Sequence, residues 1–109
     1  MPTALKVLGQ SNPAASTDTD LYTVPASTST VVSSIIVCNT GSTTATVRVF
    51  VAVGGAAVAT KQYVAYDLSV APYETVEFTN GITLAATDKL RVRASTANVA
   101  FQAFGQEVT

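Results

Sequence analysis

Residues 31–53 constrain this chain more than any other stretch. Two apolar runs are joined there by the polar hexapeptide Asn39-Thr40-Gly41-Ser42-Thr43-Thr44. The first run, Val31-Val32-Ser33-Ser34-Ile35-Ile36-Val37-Cys38, is rich in β-branched residues. The second places Val47, Val49, Val51 and Val53 on one side and Thr46, Arg48, Phe50 and Ala52 on the other. A period of two is what a pleated strand imposes, because successive side chains point to opposite faces. A helix would scatter the valines around its circumference and restrict each of them at χ1. The pattern predicts a long antiparallel hairpin with its valine face at the bottom of a core.

A chain of 109 residues is one domain, large enough to bury about two-thirds of its unfolded surface. Only 12% of its residues are charged and 48% are hydrophobic, against about 25% charged in ordinary domains. Small, weakly polar side chains must therefore cover much of the exterior. Such a surface suits a subunit of an assembly, the alternative being a secreted monomer with a Thr/Ser-rich skin. A net charge of −1 gives no footprint for nucleic acid or an anionic membrane. No apolar run approaches the roughly 20 residues that span a bilayer. The start, Met1-Pro2-Thr3-Ala4-Leu5-Lys6, lacks signal-peptide character, so the chain is expected to be complete and made in the cytoplasm. The single cysteine, Cys38, reads as a small buried hydrophobe.

Taken in order, residues 5–8 read as a short strand stopped by Gly9, and residues 11–20 as a polar loop or extended arm. Residues 21–24 form a strand ended by Pro25, which cannot donate to a ladder. After the central pair, Gly54-Gly55 breaks the chain, residues 60–70 return as a strand, and residues 74–78 alternate with Val76 and Phe78 inward. Asn80-Gly81 is a turn dipeptide. Residues 82–84, 89–94 and 99–104 complete the set, and the tail 106–109 follows Gly105. No window carries a useful 3.6-residue stripe. Seven to nine short strands with regular turns predict an all-β antiparallel sandwich, jelly-roll-like, or a barrel, without a substantial helix. The division expected is an N-terminal strand and arm over 1–20 and one sandwich domain over 21–109.

Reactive constellations are scarce. The chain has no histidine, which removes Ser-His-Asp and Cys-His systems and nearly every zinc site. Glu74 and Glu77 are three apart on a strand and point to opposite faces, unlike a glycosidase pair. Asp67 and Asp88 read as solvated turn residues. Asp18-Thr19-Asp20 is a thin calcium motif, since a cage needs six to eight oxygens. Lys89, Arg91 and Arg93 form a basic stripe without the alternating aromatics of a single-strand binder, so pairing with Glu77, Glu107 or a partner's acids is expected. Tyr22, Tyr63, Tyr66 and Tyr73 read first as rim residues with wet hydroxyls. Tyr63, Tyr66 and Tyr73 are also the candidate glycan contacts. No catalytic residue, metal ligand or cofactor is expected.

Lys6-Val7-Leu8-Gly9-Gln10-Ser11-Asn12-Pro13, Asp20-Leu21-Tyr22-Thr23-Val24-Pro25 and Val37-Cys38-Asn39 form a pattern with three later pieces. These are Gly81-Ile82-Thr83-Leu84-Ala85-Ala86-Thr87-Asp88, Arg91-Val92 and Phe104-Gly105-Gln106-Glu107. Together they resemble small virion proteins encoded among the structural genes of tailed bacteriophages. The resemblance implies a non-enzymatic virion subunit, made in the host cytoplasm. It would be a capsid decoration (cement) protein or, alternatively, a tail-fibre or baseplate module. Its partners would be itself, as a homotrimer, and the major capsid protein or other virion proteins, with neither nucleic acid nor membrane. Leu5, Val7, Leu8, Arg91 and Arg93 are the candidate intersubunit contacts. The arm is expected to add a strand to a neighbouring subunit and to order only on assembly.

Overall fold

Nine strands divide between two antiparallel sheets in the computed structural model, which describes residues 2–109. The first sheet runs β1 (Thr3–Ser11), β9 (Val99–Val108), β3 (Ser29–Asn39), β6 (Thr75–Phe78), with β7 (Ile82–Leu84) also on β3. The second runs β2 (Thr19–Thr23), β8 (Lys89–Ala94), β4 (Ala45–Ala52), β5 (Tyr63–Val70). β6 pairs with residues 35–38 of β3 and β7 with residues 30–32, so the two act as one strand interrupted at the Asn80-Gly81 turn. Most successive strands cross from one sheet to the other. Counting β6 and β7 once, this is the winding of a jelly roll, as expected. The only helical pieces among the described residues are two single 3-10 turns, Val53–Gly55 and Thr60–Gln62.

The predicted hairpin is not formed: β3 and β4 lie in different sheets and face each other across the core. Period-two alternation specifies an inward face but not the sheet that carries it. Placing Val32, Ile35 and Val37 opposite Val47 and Val49 buries both faces at once. Five residues, 40–44, arch between them. The arch hangs on Asn39, only 1% exposed. Its Nδ2 donates to the carbonyls of Thr43 (2.9 Å), Val70 (3.1 Å) and Ala71 (3.2 Å), and its Oδ1 accepts from the Gly41 N–H (2.9 Å).

The valine face holds as far as Val51. Val53 falls in the 3-10 turn and is exposed, because Gly54 and Gly55, at φ of 64° and 73°, turn the chain off the sheet. Phe50 and Ala52 sit on the opposite side of β4 yet are fully buried. Residues 53–62 fold back over that side, and Tyr63 packs on Phe50 at 5.1 Å between ring centroids. Residues 60–62, expected as strand, belong to this cover.

Other expectations need correcting. Gly9 does not stop β1; it lies at a register shift in mid-strand, where a Cβ would come within 2.1 Å of the Leu21 carbonyl oxygen. The tail past Gly105 continues β9 to Val108. Cys38 is half-buried on the outer side of β3, so it is not a core residue. Asp88 is buried rather than solvated, accepting from the Gly54 N–H (2.8 Å) and the Ala85 N–H (2.9 Å) to tie two turns together. The arm has partners in its own chain. Thr3–Ser11 pairs with β9, Asn12 Nδ2 donates to the Ala97 and Val99 carbonyls (both 2.8 Å), and the Ser16 N–H donates to Ala94 O (2.7 Å). Met1, the first residue of that span, lies outside the described residues.

Candidate functional site

The two outer faces of the sandwich differ sharply in charge. Along β8, Leu90, Val92 and Ala94 point into the core, so Lys89, Arg91 and Arg93 share the outer side of the second sheet. Antiparallel pairing sets β2 beside them, with Asp20 opposite Arg91. Asp20 bonds Lys89 and Arg91, both at 2.9 Å, and Asp18 bonds Arg93 at 3.3 Å. Neither Glu77 nor Glu107 is the partner of this stripe. Lys89, then Arg91, hold the Asp20 carboxyl below its usual range. The calcium motif is thus occupied by the chain's own cations, and no group of three or more His, Cys, Asp or Glu side chains gathers among the described residues.

Arg91 also donates to the carbonyls of Ala56 (2.7 Å) and Gly55 (3.3 Å), fastening the 53–62 cover to the sheet. Arg91 and Arg93 are therefore engaged within the chain. Arg91→Ala is expected to lower stability by about 2 kcal/mol, since hydrogen bonds to charged groups contribute ~1.5–3 kcal/mol and partial water replacement offsets some of that. Faster hydrogen exchange at amides 54–62, with β1 and β9 unchanged, is the accompanying sign.

Further along the same face stand Arg48, Tyr63, Tyr66 and Asp67. Register shifts in the β4–β5 ladder between Val47 and Val49, and again between Val49 and Phe50, leave Arg48 opposite the Tyr66-Asp67 pair. Asp67 takes a positive φ of 51°. Arg48 Nε and Nη2 donate to the two Asp67 carboxylate oxygens at 2.7 and 3.3 Å. The guanidinium lies 4.2 Å from the Tyr66 ring centroid, and Tyr63 meets Tyr66 edge-on, with centroids 4.8 Å apart at 82°. Asp67 is thus an ion-paired strand residue and not a turn residue. Tyr63 and Tyr66 line a depression of about 380 Å³ with Val58, Ala59 and Thr60. Tyr73 is not part of it; it projects, 73% exposed, from the turn before β6.

Tyr22 is buried beneath the second sheet. It donates to Glu107 Oε2 and lies 2.8 Å from Thr30 Oγ1, while Lys6 Nζ donates to Glu107 Oε1 at 3.0 Å. Burial first, then the carboxylate partner, push the Tyr22 hydroxyl up to about 12. The Tyr22 bond and then Lys6 hold Glu107 below its ordinary value of 4.5. A carboxyl depressed by folding contributes stability that is complete above that value and lost as pH falls through it toward the folded pKa. Melting temperature should therefore decline below about pH 4.5, with a smaller decline in Glu107→Gln.

The outer face of the first sheet is different. Alternation from the buried Leu8, Ala103 and Val32 turns Leu5, Val7, Phe104, Gln106 and Val31 outward. Leu5 is 81% exposed and Val7 48%. A groove of about 450 Å³ runs among Leu5, Val31, Ser33, Phe104 and Gln106, with Lys6 at its rim. Of the charged residues, register places only Glu77, opposite Ile36, on this side among the described residues. Of the five candidate contacts, Leu5 and Val7 share this face, Leu8 points into the core, and Arg91 and Arg93 lie on the other sheet. Val31, Phe104 and Gln106 were missed. For Phe104 and Gln106 the available hint was the alternation of residues 99–104 continuing past Gly105; which face they share with Val31 follows only from the register.

No protein-family model and no curated protein matches the sequence. The class defined by fold and surface is a two-sheet antiparallel jelly-roll sandwich with one charged and one nearly uncharged outer face.

Proposed function

We propose that this chain is a non-enzymatic structural subunit of a tailed-bacteriophage particle whose copies join through the outer face of the first sheet. The observation that carries the reading is that face, with Leu5 and Val7 exposed and Val31 and Phe104 half-buried beside them, while four of the five ion pairs lie on the opposite sheet. A second copy is the occupant that fits it. A largely apolar surface whose one charged side chain is Glu77 can pack on a copy of itself and needs no strongly charged partner. Four strands about 4.8 Å apart and roughly 30 Å long present roughly 600 Å² in plan. Two such faces together remove roughly 1,200 Å², the low end of stable interfaces.

The resemblance over residues 6–107 supports the particle, and within it a decoration protein set over capsomer junctions on the major capsid protein. Copies joined face to face in this way leave the charged second sheets outward, where they keep the assembly soluble. The test is electron microscopy of shells, built from the major capsid protein of the phage that encodes this chain, after incubation with it. Density over capsomer junctions is expected. Density confined to the tail, or no association with shells, contradicts the reading.

A further inference from the structure

We propose that the Tyr63–Tyr66 corner of the second sheet is a binding platform for a neutral pyranose sugar. Regular alternation would send Tyr63 and Tyr66, three apart, to opposite faces. Two consecutive bulges bring both rings, with Asp67, to the outer face beside Arg48. Asp67 holds a left-handed backbone conformation that side-chain-bearing residues adopt only at a cost. Bulges and strain of this kind re-aim side chains and concentrate at ligand sites. An edge strand needed only to close the sheet would require neither.

The chemistry of the corner selects the ligand class. Tyr66 is 59% exposed, and its ring is fixed by Arg48 at 4.2 Å and by Tyr63 at 4.8 Å. Two tyrosine rings, set edge to face and lining one open depression, offer apolar ring surface that the C–H face of a sugar can cover. Two of the five guanidinium N–H groups of Arg48 go to Asp67. The others, and the remaining lone pairs of that carboxylate, stand beside the rings as donors and acceptors for hydroxyl groups. An anion finds Arg48 already neutralised. A quaternary ammonium finds a cation already over Tyr66. A nucleic acid strand finds Lys89, Arg91 and Arg93 paired with Asp20 and Asp18. A neutral polyhydroxylated ring needs no free counter-charge and can use the ring surface that Arg48 leaves uncovered. It finds in Arg48 and Asp67 hydrogen-bonding partners for its hydroxyls, and the site lies on the sheet opposite the proposed contact between copies.

The experiment is NMR of the full chain, with ring carbons of its four tyrosines labelled. It is titrated separately with methyl β-glucoside, methyl β-galactoside, methyl α-mannoside, N-acetylglucosamine and, as a control, glycerol. Shifts at Tyr63 and Tyr66, but not Tyr22 or Tyr73, are expected for at least one sugar, with Kd on the order of 1–10 mM. Tyr66→Ala should weaken binding at least ~10-fold while Tyr66→Phe, which keeps the ring, stays within about threefold. The same spectra report that the variants are folded. No response to any of the four sugars, an equal response to glycerol, or undiminished binding by Tyr66→Ala would overturn the proposal.

Discussion

Gly105→Ala is expected to destabilise the domain by about 3 kcal/mol or more, a large effect for a single added methyl group. Gly105 lies in β9, which is hydrogen-bonded on both sides, to β1 and to β3. A Cβ there would sit 2.0 Å from the Val31 carbonyl oxygen and 3.0 Å from both Val31 C and Val32 Cα. All three atoms are backbone in the neighbouring strand, where β3 already carries a register shift between Val32 and Ser34. No side chain can swing aside, so a central ladder must part. Gly81→Ala is the control: its φ of 66° is unfavourable for alanine, yet nothing lies within 4 Å. It should cost only about 1 kcal/mol. Urea denaturation measures both, and a cost below about 1 kcal/mol for Gly105→Ala would show that the strands are not this close. The matching fall in melting temperature is roughly 10 °C or more.

Asn39→Asp is expected to cost about 3 kcal/mol, at least as much as Asn39→Ala. The asparagine donates to three carbonyls and accepts from one amide at the only direct passage between β3 and β4. Alanine leaves these groups without their partner in a buried place, where each orphan costs ~1–3 kcal/mol before relaxation and entering water offset part of it. Aspartate keeps the shape and the contact with Gly41, but turns a carboxylate toward the oxygens of Thr43, Val70 and Ala71. The order of the two variants thus separates the amide donors from mere volume. If Asn39→Asp unfolds within about 0.5 kcal/mol of the parent at neutral pH, the arch is not held by that amide.

Local periodicity made much of this fold legible. Lys89-Leu90-Arg91-Val92-Arg93-Ala94 announced a strand with a basic outer side, and Asn80-Gly81 marked the turn that interrupts the strand pairing with β3. What stayed hidden depends on contacts remote in sequence. Alternation in residues 31–53 could not say whether two valine-rich strands lie beside each other or across a core. The acids that answer Arg91 and Arg93 come from β2 and the loop before it, about 70 residues away, where Asp18-Thr19-Asp20 looked more like a cation motif. Tyr63 and Tyr66 share a face only because bulges break the very period used to read the chain. Gly9 and Gly105 read as stops, yet each is a place where another backbone passes too close for a Cβ. Leu5 and Val7 were legible as strand residues and candidate contacts between subunits, though not as residues of an edge strand. Their neighbours Phe104 and Val31 needed the register.

The proposed meeting of copies through the first sheet is tested most directly by the molar mass in solution. Light scattering should give the parent protein a mass that is a small multiple of 11.2 kDa. Leu5→Glu, a change at a solvent-exposed side chain that leaves folding intact, should return the monomer. Val53→Glu, an equally exposed apolar position off that face, should leave the mass unchanged. A parent that is monomeric at every concentration, or an oligomer indifferent to Leu5→Glu, would contradict it.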